Sequence, residues 1–181
     1  TFTPKADAAG QVTFDVRLRD NGGTANGGIN ESDAVTITVN LNEVNDAPDF
    51  TASNPPAVNE DAGIQNIDKW ATFNAGPFEG TNQDVQQYTV SNINNGSLLS
   101  AGPTVNNDGD LSYTPAADSN GVVTFEVSVQ DDGDIVNGGV DTSLKDTFTI
   151  TINAVNDTPS FTAKGNITID EDAGAQTEPG W

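Results

Sequence analysis

From Val123 to Gln130 apolar and polar residues alternate without a break. Val123, Phe125, Val127 and Val129 fall on one side, and Thr124, Glu126, Ser128 and Gln130 on the other. The same period returns from Thr147 to Ile152, where Phe148, Ile150 and Ile152 are set against Thr147, Thr149 and Thr151. Successive side chains of a strand point to opposite faces, so a period of two with one apolar face predicts strands lying on a core. Near the start, Val12, Phe14, Val16 and Leu18, then Ile37, Val39 and Leu41, carry the pattern again. Weaker runs at 67–73, 85–93, 97–105 and 110–114 are punctuated by Asn-Gly, Asp-Gly and Gly-Gly pairs, as turns with positive φ require. Together these predict an all-β chain: an immunoglobulin-like β-sandwich of about seven strands. Strands are expected at 56–59, 67–73, 85–91, 110–114, 122–130 and 146–154, with Trp70 and Tyr88 in the core.

The pattern also recurs at long range. Phe2 to Gly10 ("FTPKADAAG") aligns with Tyr113 to Gly121 ("YTPAADSNG"), and Val12 to Val16 ("VTFDV") with Val123 to Val127 ("VTFEV"). The "NGG" at Asn26 returns at Asn137, "VND" at Val44 returns at Val155, and "EDAG" at Glu60 returns at Glu171. Trp70 recurs as Trp181. Every offset is 111 residues without a gap, and 31 of the 70 overlapping positions are identical. The chain therefore reads as the back of one repeat (1–46), one whole repeat (47–157) and the front of a third (158–181), a piece of a longer array. A unit of this size can own a core, unlike a short solenoid repeat.

Composition changes the picture in two ways. Only 34% of the 181 residues are apolar, and 27 acids against 6 bases give a net charge of −21. That combination is also the signature of disorder, which the strand alternation argues against. Phosphate contacts need a basic surface, so nucleic-acid binding is excluded. With no Cys and no His there is no disulfide framework, no thiolate site, no zinc triad and no Ser-His or Cys-His pair. No apolar run is long enough to insert into a membrane.

Placing the acids on the expected sandwich gives them a pattern. The connection after 56–59, the connection before 122–130 and the end of 146–154 share one pole. Glu60, Asp61, Asp118, Asn156 and Asp157 fall there. Glu79, Asp131, Asp132 and Asp134 fall at the opposite pole, near Glu43, Asn45 and Asp46 of the preceding linker. The preceding unit adds Asp7, the counterpart of Asp118. In the third unit Glu171 repeats Glu60. Close carboxylates repel and stay ionised only when something neutralises them. A hard divalent cation with an all-oxygen shell fits, and Ca²⁺ accepts 6–8 oxygens in an irregular cage where Mg²⁺ demands stricter geometry. The competing account is that these are solvated turn residues, since Asp, Asn and Gly favour turns. Recurrence of the whole set at one offset favours metal.

"EVNDAPDF" (Glu43 to Phe50) and "AVNDTPSF" (Ala154 to Phe161) resemble the cadherin linker motif, in which an acid, Asn and Asp precede Ala-Pro and bind Ca²⁺ between domains. Glu60 and Glu171 resemble the base glutamate that follows that linker, and Asp118 lies where the cadherin motif between the fifth and sixth strands would be. The fuller pattern "DGDLSYTPAADSNG…TFEVSVQDDGD…TFTITINAVNDTP" is similar to cadherin-like tandem repeats of large bacterial surface adhesins, especially RTX extender regions. The chain departs from the animal motif: one Asn is missing, the Asp118 loop lacks the usual Glu, and Glu43 becomes Ala154 in the second copy. The resemblance implies an extracellular, cell-surface extender exported by a type I system. Calcium would stiffen its joints, and its partners would be neighbouring repeats or neighbouring chains of a filament.

Rival functions have thinner support. Segment 92–109, "NINNGSLLSAGPTVNNDG", reads as a pair of edge strands with turns, or as a loop surface binding a sugar or protein. The Thr147, Thr149 and Thr151 row suits an ice-binding face, but Thr is an ordinary exposed strand residue. Catalytic carboxylates would want an apolar, acid-raising pocket, and these acids sit in turns, so no enzyme is expected. Lys5 and Lys145 become Ala116 and Ala34 in the other copy, against a shared isopeptide crosslink.

Overall fold

In the computed structural model, which describes residues 1–77, 79, 83–163 and 165–177, the chain is all-β. Among the described residues there is no α-helix, only short 3₁₀ turns at Ala25–Gly27, Gly96–Leu98 and Val136–Gly138. The strands are β1 (Gly10–Val16), β2 (Val35–Leu41), β3 (Asp49–Thr51), β4 (Val58–Asn59), β5 (Gln65–Ile67), β6 (Thr72–Asn74), β7 (Val85–Asn94), β8 (Leu99–Val105), β9 (Leu111–Pro115), β10 (Gly121–Asp131) and β11 (Asp146–Asn153). No helix is long and apolar enough to cross a membrane.

Residues 47–153 make the sandwich. One layer has the order β4-β11-β10-β7, and the other comprises β5-β9-β8 and the pair β3-β6. Alternation decides which side chains face inward. Val123, Phe125, Val127 and Val129 of β10 are buried, as are Phe148, Ile150 and Ile152 of β11 and Leu111 and Tyr113 of β9. Trp70 and Tyr88 are buried among them as expected. The Trp70 ring meets Phe148 edge-on at 4.7 Å between centroids, and Phe50 meets Tyr88 edge-on at 5.8 Å. Edge-to-face pairs match the negative face of one ring with the positive rim of the other. The Trp70 indole N–H donates to the Ser53 carbonyl at 2.6 Å, so its one polar atom is satisfied inside the core.

Two strand expectations need correction. The strand expected over 67–73 is two strands. Lys69 turns left-handed (φ 52), separating β5, which joins β9, from β6, which joins β3. The strand expected at 56–59 shrinks to Val58–Asn59, running parallel to the end of β11. Upstream, Pro55 and Pro56 offer no N–H to a ladder. Beyond them β3 is an unexpected strand. Segment 92–109 matches the pair of edge strands expected there: it holds the end of β7 and the whole of β8, each at the edge of its sheet, joined through a left-handed Asn95.

The repeat is structural as well as sequential. β1 pairs β2 with Gly10 opposite Leu41, and β10 pairs β11 with Gly121 opposite Ile152. Subtracting 111 from the second pair gives the first. Ser32 Oγ accepts the Leu18 N–H at 3.0 Å just as Ser143 Oγ accepts that of Val129. The β1-β2 hairpin is a sheet by itself. No strand forms among the described residues 158–177, and Trp181, the counterpart of Trp70, lies outside the described residues.

Candidate metal centre

Three elements meet at the pole where β4 and β11 end. Asp61 follows β4 in a left-handed turn (φ 64), Asp118 sits in a left-handed turn (φ 53) between β9 and β10, and Asp157 follows β11. Left-handed geometry is tolerated by Asp because its short side chain can bond locally. The three carboxylates each place an oxygen within 4.8 Å of the others, and all three residues are exposed. The Asp118 N–H donates to Asp61 Oδ1 at 3.3 Å, tying the two turns together.

Glu60 precedes Asp61, and its charge reaches Asp157. Its N–H donates to the Asn153 carbonyl at 2.9 Å, which continues the β4-β11 pairing by one residue. Glu60 is only 5% exposed, and its Oε1 accepts the Val155 N–H at 2.8 Å. Its Oε2 is buried with no hydrogen-bond partner among the described residues. Repulsion acts on Asp157: the Asp118 carboxylate, then partial burial, then Asp61 and Glu60, push its acid above the usual carboxylate range. Three carboxylates thus converge, with Glu60 adding to the charge on Asp157 and no basic side chain in their hydrogen bonds among the described residues. Such a cluster is an all-oxygen donor set, the kind a hard divalent cation takes.

Asn156, also expected at this pole, is exposed, and its amide donates to the adjacent Asp157 carbonyl at 3.0 Å. Glu171, the third unit's counterpart of Glu60, lies on the strandless segment after Asp157.

The opposite pole is organised differently. Asn45 is buried, and its side chain holds the loop after β10: Nδ2 donates to the Val140 carbonyl at 2.7 Å and to Asp131 Oδ1 at 3.3 Å. The Asn45 backbone carbonyl accepts the Val140 N–H at 2.9 Å. Gln83 Nε2 donates to Asn45 Oδ1 and to Glu79 Oε2, and Glu79 Oε1 accepts the Asp46 N–H at 2.8 Å. Asp131 is 1% exposed. Its Oδ1 also accepts the Gly133 N–H at 3.0 Å, and its Oδ2 is buried without a partner among the described residues. Burial raises its acid, against the lowering effect of the Gly133 and Asn45 donors. Gly133 is required by space, since a Cβ there would sit 2.0 Å from Asn45 Oδ1.

Asp132 and Asp134 act as loop acceptors. Asp132 Oδ1 takes the Asp84 N–H at 2.9 Å and Asp134 Oδ1 the Val136 N–H at 3.0 Å. Asp7, Glu43, Asp46 and Glu79 line one concavity of 210 Å³ between the hairpin and this pole. They do not close as tightly as the trio, which is the one group of three carboxylates within 4.8 Å among the described residues. Gln83, the residue linking Glu79 to Asn45, escaped the sequence reading because a lone Gln in a polar loop carries no charge signal.

A scan against protein-family models, a search of curated proteins and a search of solved structures return no match to this chain.

Proposed function

We propose that the chain is part of a rod of tandem sandwiches whose joints are stiffened by calcium, a structural extender that holds other domains away from a cell surface. The observation that carries this reading is the convergence of Asp61, Asp118 and Asp157, with the buried Glu60, next to Asp61 in the chain, adding its charge to Asp157. Repulsion among them loosens the pole when metal is absent, and Ca²⁺ turns the same oxygens into a crosslink between the body of the repeat and the linker leading onward. Recurrence supports the rod over a ligand-binding module, because Asp7 and Asp46 repeat Asp118 and Asp157 at the same offset. A specific ligand needs one site, whereas a rod needs every joint. An extracellular setting follows from the need for millimolar calcium when sites are shallow and exposed.

Calorimetric titration of the metal-stripped chain with Ca²⁺, paired with small-angle scattering, tests this. Saturable binding with a lengthened, stiffer scattering profile is the expected result. Absence of binding heat at millimolar Ca²⁺ would overturn the proposal.

A further inference from the structure

An apolar surface not yet accounted for is the inner face of the β1-β2 hairpin. Phe14 is 46% exposed where its counterpart Phe125 is 0% exposed, and Leu18 is 76% exposed where Val129 is 0% exposed. Val12, Val16 and Ile37 are exposed too, although Val123, Val127 and Phe148 are buried. The face opens onto a groove of 510 Å³ that Val12, Phe14, Val39 and Leu41 line. An isolated two-stranded hairpin is marginal in water, and an apolar face of this kind marks an interaction surface.

The whole repeat shows what covers such a face. On β10-β11 it is the strand set of residues 47–115. Trp70 packs 6.1 Å from Phe125, Phe50 packs 6.1 Å from Phe148, and β4 adds its backbone to β11 with Val58 opposite Ile152. The hairpin keeps the same register and the same loop hydrogen bonds as β10-β11. Leu41 stands in the place of Ile152, and Phe14 in the place of Phe125.

We propose that the β1-β2 face is the docking site for a strand set with the sequence pattern of residues 47–111, joined to the hairpin within one chain. A second copy of the chain is a poorer fit. Its own residues 47–115 already cover its β10-β11. Its residues 158–177 offer only Phe161, Ile167 and Ile169 as large exposed apolar side chains among those described. The proposal concerns core completion and does not depend on any cation.

The test extends the full chain by one added copy of residues 47–111 fused ahead of Thr1. This stays in phase because Thr1 and Ser112 hold equivalent positions. Amide hydrogen exchange is followed in β1-β2, with β10-β11 as the internal reference. The extension should slow exchange in β1 and β2 by at least about 100-fold, toward the reference level. Phe14→Ser in the extended chain should remove that protection and leave β10-β11 unchanged. Equal exchange of β1-β2 with and without the extension would overturn the proposal. So would a concentration-dependent dimer of the unextended chain with β1-β2 already protected, since a second copy would then be the occupant. Neither readout follows calcium binding, so its failure is distinguishable from failure of the rod reading.

Discussion

Asp118→Asn has opposite effects with and without calcium if the trio is a cation site. Without metal, Asp118 is the largest source of the repulsion on Asp157. Replacing its carboxylate with a neutral amide of the same shape relieves that repulsion and keeps the backbone turn, since Asn tolerates the left-handed conformation. The metal-free variant should melt at or above the parent. With metal, a ligand that binds only the folded state at about 100 times its Kd stabilises by about 2.7 kcal/mol. For a unit of 111 residues, each kcal/mol moves the melting point by roughly 4 °C, so calcium should raise the parent by about 11 °C. Losing one of the three clustered carboxylates removes most of that gain. Thermal unfolding of parent and variant in chelator and in calcium gives four melting points. The curves should cross: variant at or above parent in chelator, variant below parent in calcium. Parallel shifts of both proteins by calcium, or an equal loss in chelator and calcium, would refute the cation assignment.

Two further outcomes follow from the same geometry. Asp157 and Asp131 have raised acids, so the folded chain binds more protons than the unfolded one above the ordinary aspartate value of 3.8, and metal-free stability should rise as pH falls from neutral toward that value. Asp110 and Asp141, held low by hydrogen bonds, contribute in the opposite sense, and their stabilisation is lost below it. Denaturant midpoints in chelator should therefore peak on the acid side of neutrality, and a steady decline from neutral downward would contradict this. Asn45→Ala removes the side-chain donor to the Val140 carbonyl at a cost of about 1–3 kcal/mol if that carbonyl is left unsatisfied, while Asp131 keeps the Gly133 N–H and Gln83 keeps Glu79. Asn156→Ala removes one exposed local bond and should be neutral in this chain. Denaturant midpoints measured in chelator, where no cation contributes, check this difference: the Asn45→Ala midpoint should fall and the Asn156→Ala midpoint should match the parent.

The long strands were legible because their signal is local. From Val123 to Val129 and from Phe148 to Ile152 a single period of two reports both secondary structure and the buried face. The short strands were not legible. β3, β4, β5 and β6 have two or three residues each, too few for periodicity, and their boundaries are set by Pro55, Pro56 and the left-handed Lys69. The trio could be placed from connectivity alone, since strand parity fixes which loops share a pole. What the acids do there could not be read that way. Asp131 and Asp157 both sit at or just past the end of a strand, yet one is buried against Asn45 and Gly133, and the other is exposed beside two carboxylates. That difference depends on neighbours 86 and 39 residues away.

The two poles explain why the linker carries Asn followed by Asp. Asn45 reaches forward into the following sandwich, where it clamps the loop after β10 through Val140 and Asp131. Asp46 follows it on the wall shared with Asp7 of the preceding unit. Asn156 and Asp157 occupy the same positions one repeat later. Asp157 has its backward-facing partners, Asp61 and Asp118, and joins them. Asn156 has no loop from a following sandwich within reach among the described residues, and it bonds its own neighbour's carbonyl instead. The pair divides the work of a joint. An amide can both donate and accept, so it suits a buried interface with backbone groups. A carboxylate only accepts, so on the proposed reading it suits a place where other carboxylates would share a cation. Exchanging the two would bury a second charge beside Asp131 and leave the trio one carboxylate short, which is a physical reason for the order Asn-Asp at both linkers.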